Sequence, residues 1–184
     1  MQEISLNILD IVQNSVRAGA SLIRVEVYEN TEDEDVLFFS VEDNGCGMDE
    51  EMVQRVMDPF VTTRTTRKVG MGLSLLRSAA QATGGDVELT SQVGKGTFIK
   101  ATFSHGHIDR QPLGNMADTM TSLISMNGHI DFIYKHSYNG AVFELDTKEM
   151  KEILGEVPLN DPTVAAWLRE YLDEGISNIY GGAQ

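Results

Sequence analysis

The sequence predicts an α+β two-layer sandwich, with helices packed on one face of a mixed sheet and a small α+β extension after it. Three observations carry that reading. Two pairs of strand-like runs, within 22–43 and 86–103, stand apart in the chain with helical patterns between them. An amphipathic helical pattern precedes the first pair. The helices fall between the strand pairs, a pattern that suggests an α+β arrangement.

Ile4, Ile8, Leu9, Ile11, Val12 and Val16 follow helical spacing, and Ala18-Gly19-Ala20 closes that segment. LIRVEVY (22–28) alternates as a strand, ENTEDED (29–35) reads as a solvated hairpin tip, and VLFFSVED (36–43) is a second, more buried strand. DNGCGM (43–48) is a glycine turn, followed by a short helix, DEEMVQRVM (49–57), with an acidic first turn. A basic loop leads into a helix from about Gly72 to Thr83, ended by Gly84-Gly85. DVELTSQ and TFIKATF form the next strand pair, joined by Val93-Gly94-Lys95-Gly96.

Beyond Phe103 the character changes, and the chain divides into residues 1–104 and an extension, 105–184. SHGHIDRQPLG (104–114) reads as a linker and MADTMTSLISM as a helix. IDFIYKHSYNGAVFELD carries a hairpin signal at Asn139-Gly140. Helices TKEMKEILG and PTVAAWLREYLDEG follow, then a loose tail, ISNIYGGAQ. Position and hairpin suggest partner docking or dimerisation for this extension.

Composition bounds the function. At 184 residues and 41% hydrophobic content, the chain has enough apolar material for a real core. A formal charge of −14 argues against nucleic acid and anionic membrane surfaces as partners. One cysteine, Cys46, excludes an internal disulfide and any multi-cysteine metal site. The first residues lack the basic flank and apolar run of a signal peptide, and no run reaches membrane-spanning length. The expectation is a soluble, cytoplasmic protein.

Gly45-x-Gly47 and Gly70-x-Gly72 are each weak signals alone. Neither forms a P-loop, and neither stands in a strand–GxGxxG–helix context. Their order is informative. A helix with Asp10 and Asn14 comes first, then Asp43-x-Gly45-x-Gly47, then the basic loop with Gly70-x-Gly72-Leu73, then Gly94-x-Gly96-Thr97. Over residues 3–104 this resembles the GHKL (Bergerat) ATP-binding superfamily. That superfamily includes sensor histidine kinases, anti-sigma serine kinases, dehydrogenase kinases, mismatch-repair ATPases, gyrase and chaperones.

The resemblance implies ATP and Mg²⁺ as cofactors and assigns roles. Asn14 ligates Mg²⁺, and Asp10, four residues earlier on the same helical face, polarises the attacking water or hydroxyl. ATPases and dehydrogenase kinases usually carry a glutamate there, so this chain has a shorter arm. Arg17 reaches the phosphates. Asp43 accepts from the adenine amino group, Gly45, Gly47 and Met48 border the base, and Thr97 supports Asp43. Asp58-Pro59-Phe60 with Thr62-Thr63-Arg64 resembles the F-box, and Val61–Val69 would form a lid. Arg64, Arg67 and Lys68 supply positive charge, Phe60 anchors the lid, and Gly70, Met71, Gly72 and Leu73 bring backbone N–H groups to the phosphates.

The reaction is left open by an ATP site alone. His107-Ile108-Asp109-Arg110-Gln111-Pro112-Leu113 resembles a histidine-kinase H-box, yet it follows the ATP-binding segment and its acid is displaced to Asp109. His105 and His107 lack an evident third ligand for a metal. Three readings compete: a histidine-kinase-like enzyme acting on a protein phosphoacceptor, an anti-sigma-like regulator whose ATP/ADP state sets partner binding, and a non-hydrolysing ATP-binding module. The first is favoured.

Overall fold

Alternation in the strands decides which residues enter the core. In the computed structural model, which describes residues 2–58 and 69–182, helix α1 (Ile4–Arg17) leads into strand β1 (Leu22–Asn30). Ile23, Val25 and Val27 of β1 all face inward and are buried. Strand β2 (Val36–Asp43) pairs antiparallel with β1, and Leu37, Phe39 and Val41 form its inward row. Helices α2 (Glu50–Met57) and α3 (Val69–Ala82) follow, then strands β3 (Asp86–Gln92) and β4 (Gly96–Ser104). Helix α3 begins three residues before the expected Gly72, so both glycines of Gly70-x-Gly72 lie within its first turn.

The extension adds to this sheet. Helix α4 (Met116–Met126) matches the expected span, and strand β5 (Asp131–Tyr138) pairs parallel with β1 from Leu22↔Asp131 to Glu29↔Tyr138. Strand β6 (Ala141–Asp146) closes the edge, and helices α5 (Thr147–Leu154) and α6 (Pro162–Ser177) follow. The sheet has six strands in the order β3-β4-β2-β1-β5-β6. Buried residues of α1, α3, α4 and α6 join those of the strands in one apolar cluster. Phe132 and Tyr134 of β5 are fully buried within it. The fold is the expected α+β sandwich, with a mixed sheet made by one parallel pair.

Two expectations require correction. The tail is not loose as far as it is described. Helix α6 runs on to Ser177, and a last turn, Asn178–Gly182, carries Tyr180 onto Glu29. Nor is Glu29 part of a solvated tip. It continues the inward row of β1 and is 5% exposed, its carboxylate bonded to His136 Nε2 (3.0 Å), His105 Nε2 (3.2 Å) and the Tyr180 hydroxyl. His136 is fully buried and bonded through Nδ1 to the Tyr134 hydroxyl at 2.8 Å. Strand β5, the linker and the C-terminal turn thus meet on one carboxylate. Among the described residues, no helix is long and apolar enough to cross a membrane.

Burial alone would raise the Glu29 carboxyl pKa. Hydrogen bonds from His136 and Tyr180, the His136 charge and the His105 bond outweigh that effect and hold it below its ordinary 4.5. A depressed folded value contributes stability that is fully present above pH 4.5 and lost as pH falls through the folded value. Glu29→Gln is therefore predicted to cost about 1–3 kcal/mol at neutral pH. Urea unfolding is expected to show the gap from wild type narrowing in acid. A gap independent of pH would count against this account.

Candidate functional site

The inward row of β2 ends on a carboxylate. Asp43 occupies the position after Leu37, Phe39 and Val41 and is 9% exposed. Such a group needs partners, because burying an unpaired carboxylate costs several kcal/mol. Ser15 Oγ of α1 donates to Asp43 Oδ2 at 2.6 Å, and the Gly45 N–H donates to Oδ1 at 2.9 Å. Ser15 was not among the expected site residues. It falls on the apolar stripe Ile8, Ile11, Val12 of α1 and is itself buried, a polar residue in a core-facing position.

The glycine turn after Asp43 is held from both sides. Cys46 N–H donates to Ala18 O (2.9 Å) at the end of α1, and Gly94 N–H donates to Cys46 O (2.8 Å) from the β3–β4 hairpin. Asn44 Oδ1 accepts from Ser21 N–H (2.8 Å) and Leu22 N–H (3.0 Å). Glycine is required where backbones touch. A Cβ at Gly47, whose φ is +70°, would lie 2.0 Å from Gln92 O. One at Gly45 would lie 2.9 Å from Ala18 Cβ.

Thr97 sits opposite Asp43 in the β2–β4 register, as expected of a neighbouring-strand threonine. Its hydroxyl, however, lies 2.8 Å from Ser91 Oγ, while Ser15 bonds the aspartate. Ser91 also accepts from Met48 N–H (2.8 Å) and donates to Gly96 O (3.0 Å). A serine in an alternating strand gives no local sign of this role, and the sequence reading missed it.

A cleft of about 250 Å³ runs along α1 against the start of α3. Asn7, Asp10, Asn14 and Arg17 line it from α1, with Gly72, Leu73 and Leu76 opposite. Asp10 and Asn14 therefore share a face, as their spacing implies. Asn14 Oδ1 accepts from Arg17 Nη1 at 3.2 Å. The backbones of Gly70 and Met71 belong to the first turn of α3. Phe60, Thr62, Thr63, Arg64, Arg67 and Lys68 lie outside the described residues. Asp43 is not in the cleft lining but is joined to it through α1, since Ser15 follows Asn14. Among the described residues no group of three or more His, Cys, Asp or Glu is placed to hold a metal, and His105 is engaged with Glu29.

The fold and site thus define an α+β sandwich with a buried carboxyl group at a strand end, glycines at close backbone contacts and a polar helix face along a cleft. The family comparison specifies it. Residues 2–107 match the model of the histidine kinase-, DNA gyrase B- and HSP90-like ATPases, and the chain belongs to that family. A putative sensor protein of Shewanella frigidimarina is 30% identical over 104 residues, covering 56% of this chain and 16% of that protein. The sensor histidine kinase WalK of Bacillus subtilis is 39% identical over 79 residues, covering 40% of this chain and 13% of WalK. The chain thus spans a small part of these relatives' length.

The crystal structure of the N-terminal domain of a DNA repair protein is similar in fold, with a TM-score of 0.54 and 17% identity. That likeness covers 85% of this chain and 58% of the other, so it runs beyond residues 2–107 into the extension. The family match and the sensor-kinase relatives make residues 2–107 a histidine-kinase-like ATP-binding domain.

The packing predicts a contrast between two glycines of positive φ. Gly47→Ala, which drives a Cβ into Gln92 O, is expected to cost roughly 2 kcal/mol or more. Gly94→Ala, with nothing within 4 Å, should cost only about 1 kcal/mol of backbone strain. Thermal unfolding of both variants checks this. Equal losses would contradict the close contact at Gly47.

Proposed function

We propose that this domain binds Mg-ATP along α1 and passes the γ-phosphate to a protein partner in signalling, with water as the basal acceptor. The observation that supports this most is that one helix joins both ends of the site. Ser15 bonds Asp43 while Asn14 and Asp10 face the cleft. In this reading the Asp43 carboxylate accepts from the adenine amino group. Gly45, Gly47 and Met48 border the base, and Thr97 supports the floor beneath it.

The triphosphate then runs from Asn14 toward Asp10. The Asn14 amide oxygen and nearby Asp10 carboxylate are hard oxygen donors, too few for a full cage, which suits an ion that keeps waters and phosphate oxygens. Asn14 would hold Mg²⁺, which would draw charge from the phosphate being transferred. Arg17, freed from Asn14, turns to the phosphates. N–H groups from the Gly70–Leu73 turn of α3 receive their charge. The family resemblance assigns Phe60, Thr62, Thr63, Arg64 and Lys68 to phosphate binding as well, and a cytoplasmic location belongs to the same proposal.

Asp10 accepts the proton of the attacking group. Its arm is one methylene shorter than glutamate, which favours slow turnover and lends weight to a second reading, a regulator whose nucleotide state sets partner binding. Incubation with γ-labelled ATP and Mg²⁺ separates the two. Label on protein or released phosphate is expected from wild type and is expected to fall at least about 100-fold in Asn14→Ala. Label that also disappears in His107→Ala would locate the acceptor in the linker. Tight ATP binding with neither label nor phosphate would favour the regulator.

A further inference from the structure

The polar stripe on α1 does not stop at Asp10. Asn7, Asp10, Asn14 and Arg17 all line the cleft, spaced 3, 4 and 3 residues apart along one helical face. Asn7 lies one turn beyond Asp10, about 4–5 Å further along the axis. Going from Asp43 past Ser15, Asn14 and Asp10, it comes last, on the far side of the group assigned to proton removal. A surface asparagine would need no explanation, but Asn7 is only 8% exposed.

Its side chain is held in place. Asn7 Nδ2 donates to Gln111 Oε1 at 3.1 Å. Gln111 belongs to the linker of the extension, which is fixed on both sides of it. Arg110 Nη1 donates to Gln111 O at 2.9 Å, while Pro112 O and Leu113 O accept from Ile4 N–H (2.9 Å) and Ser5 N–H (2.8 Å). The linker thus occupies the unsatisfied N–H groups at the start of α1, where no side-chain cap is present. With its nitrogen committed to Gln111, Asn7 presents Oδ1, which accepts no hydrogen bond among the described residues.

We infer that Asn7, oriented by Gln111, is a positioning residue for the water that attacks the γ-phosphate. The inference rests on the ATP-cleavage reading above. One O–H of the water donates to Asn7 Oδ1, and the other points to the Asp10 carboxylate. The water oxygen forms the new bond to phosphorus, and Asp10 takes one proton. The bond from phosphorus to the β,γ-bridging oxygen breaks, its electron pair leaving on ADP, and inorganic phosphate is released. A second polar group beside a short aspartate arm supplies the orientation that a longer carboxylate would have to provide alone. Gln111 places that orientation under the control of the extension.

Phosphate release, ATP dissociation constants and thermal unfolding, measured on the same full-chain variants, test this. Asn7→Ala is expected to lower kcat about tenfold or more with the ATP dissociation constant within about twofold. Gln111→Leu should reproduce part of that loss, and Gln111→Glu, which keeps the acceptor oxygen, should retain activity. Asn7→Asp places a like charge beside Asp10 and should move the acid limb of the pH–rate profile upward. Unchanged kcat in Asn7→Ala, or loss of ATP binding in step with kcat, would overturn the inference. Wild type that binds ATP and releases no phosphate would overturn it too, while leaving nucleotide binding intact. Absence of ATP binding by wild type would remove the underlying reading as well.

Discussion

One buried hydrogen bond organises the site: Ser15 Oγ to Asp43 Oδ2, at 2.6 Å. It crosses from the helical layer to the sheet, at the point where the core-facing rows of α1 and β2 both end in a polar residue. Apolar packing presses α1 onto the sheet but is non-directional. A charge-assisted hydrogen bond is directional, and it fixes the rotation of α1 about its own axis. That rotation decides whether Asp10 and Asn14 face the cleft or solvent. The same bond offsets the burial of a carboxyl group that the core would otherwise reject, leaving Asp43 available at the strand end.

A second buried carboxylate stands at the opposite end of the sheet. Glu29 ends the inward row of β1 as Asp43 ends that of β2, and the antiparallel pairing puts them far apart. One keeps an acceptor ready beside a glycine turn. The other is saturated by His136, His105 and Tyr180, which come from β5, the linker and the C-terminal turn. Because Glu29 anchors His105, it also holds the start of the linker that later reaches the N-terminus of α1. The extension is thereby tied to the nucleotide-binding half through backbone and side chain, not only through the parallel β1–β5 pairing.

Elements were legible where periodicity alone defines them. The spans of β2, β3 and α4 follow directly from apolar spacing, and the ordered glycine boxes singled out Asp43, Asp10 and Asn14 as candidates. Glu29 was misread because an acidic run looks like a tip. The alternation Ile23, Val25, Val27, Glu29 contained the correct answer, since the fourth residue keeps the inward parity. Ser15 was likewise visible as a polar residue on an apolar stripe. The placement of β5 beside β1 was not legible, because a strand's own pattern carries no information about a parallel neighbour over 100 residues away. Nor could the strand pattern reveal Ser91, whose three partners come from the next strand and from the turn after Asp43.

In the proposed function, Asp43, held by Ser15, reads adenine. The most direct test is the affinity of wild type and Asp43→Asn for Mg-ATP against Mg-GTP, measured by calorimetry. A carboxylate accepts from the adenine amino group and repels the guanine carbonyl at the same position, so wild type should prefer ATP by about 100-fold or more. Asp43→Asn should lose most of that preference. Equal affinities for the two nucleotides in wild type, or a preference unchanged in Asp43→Asn, would contradict the account.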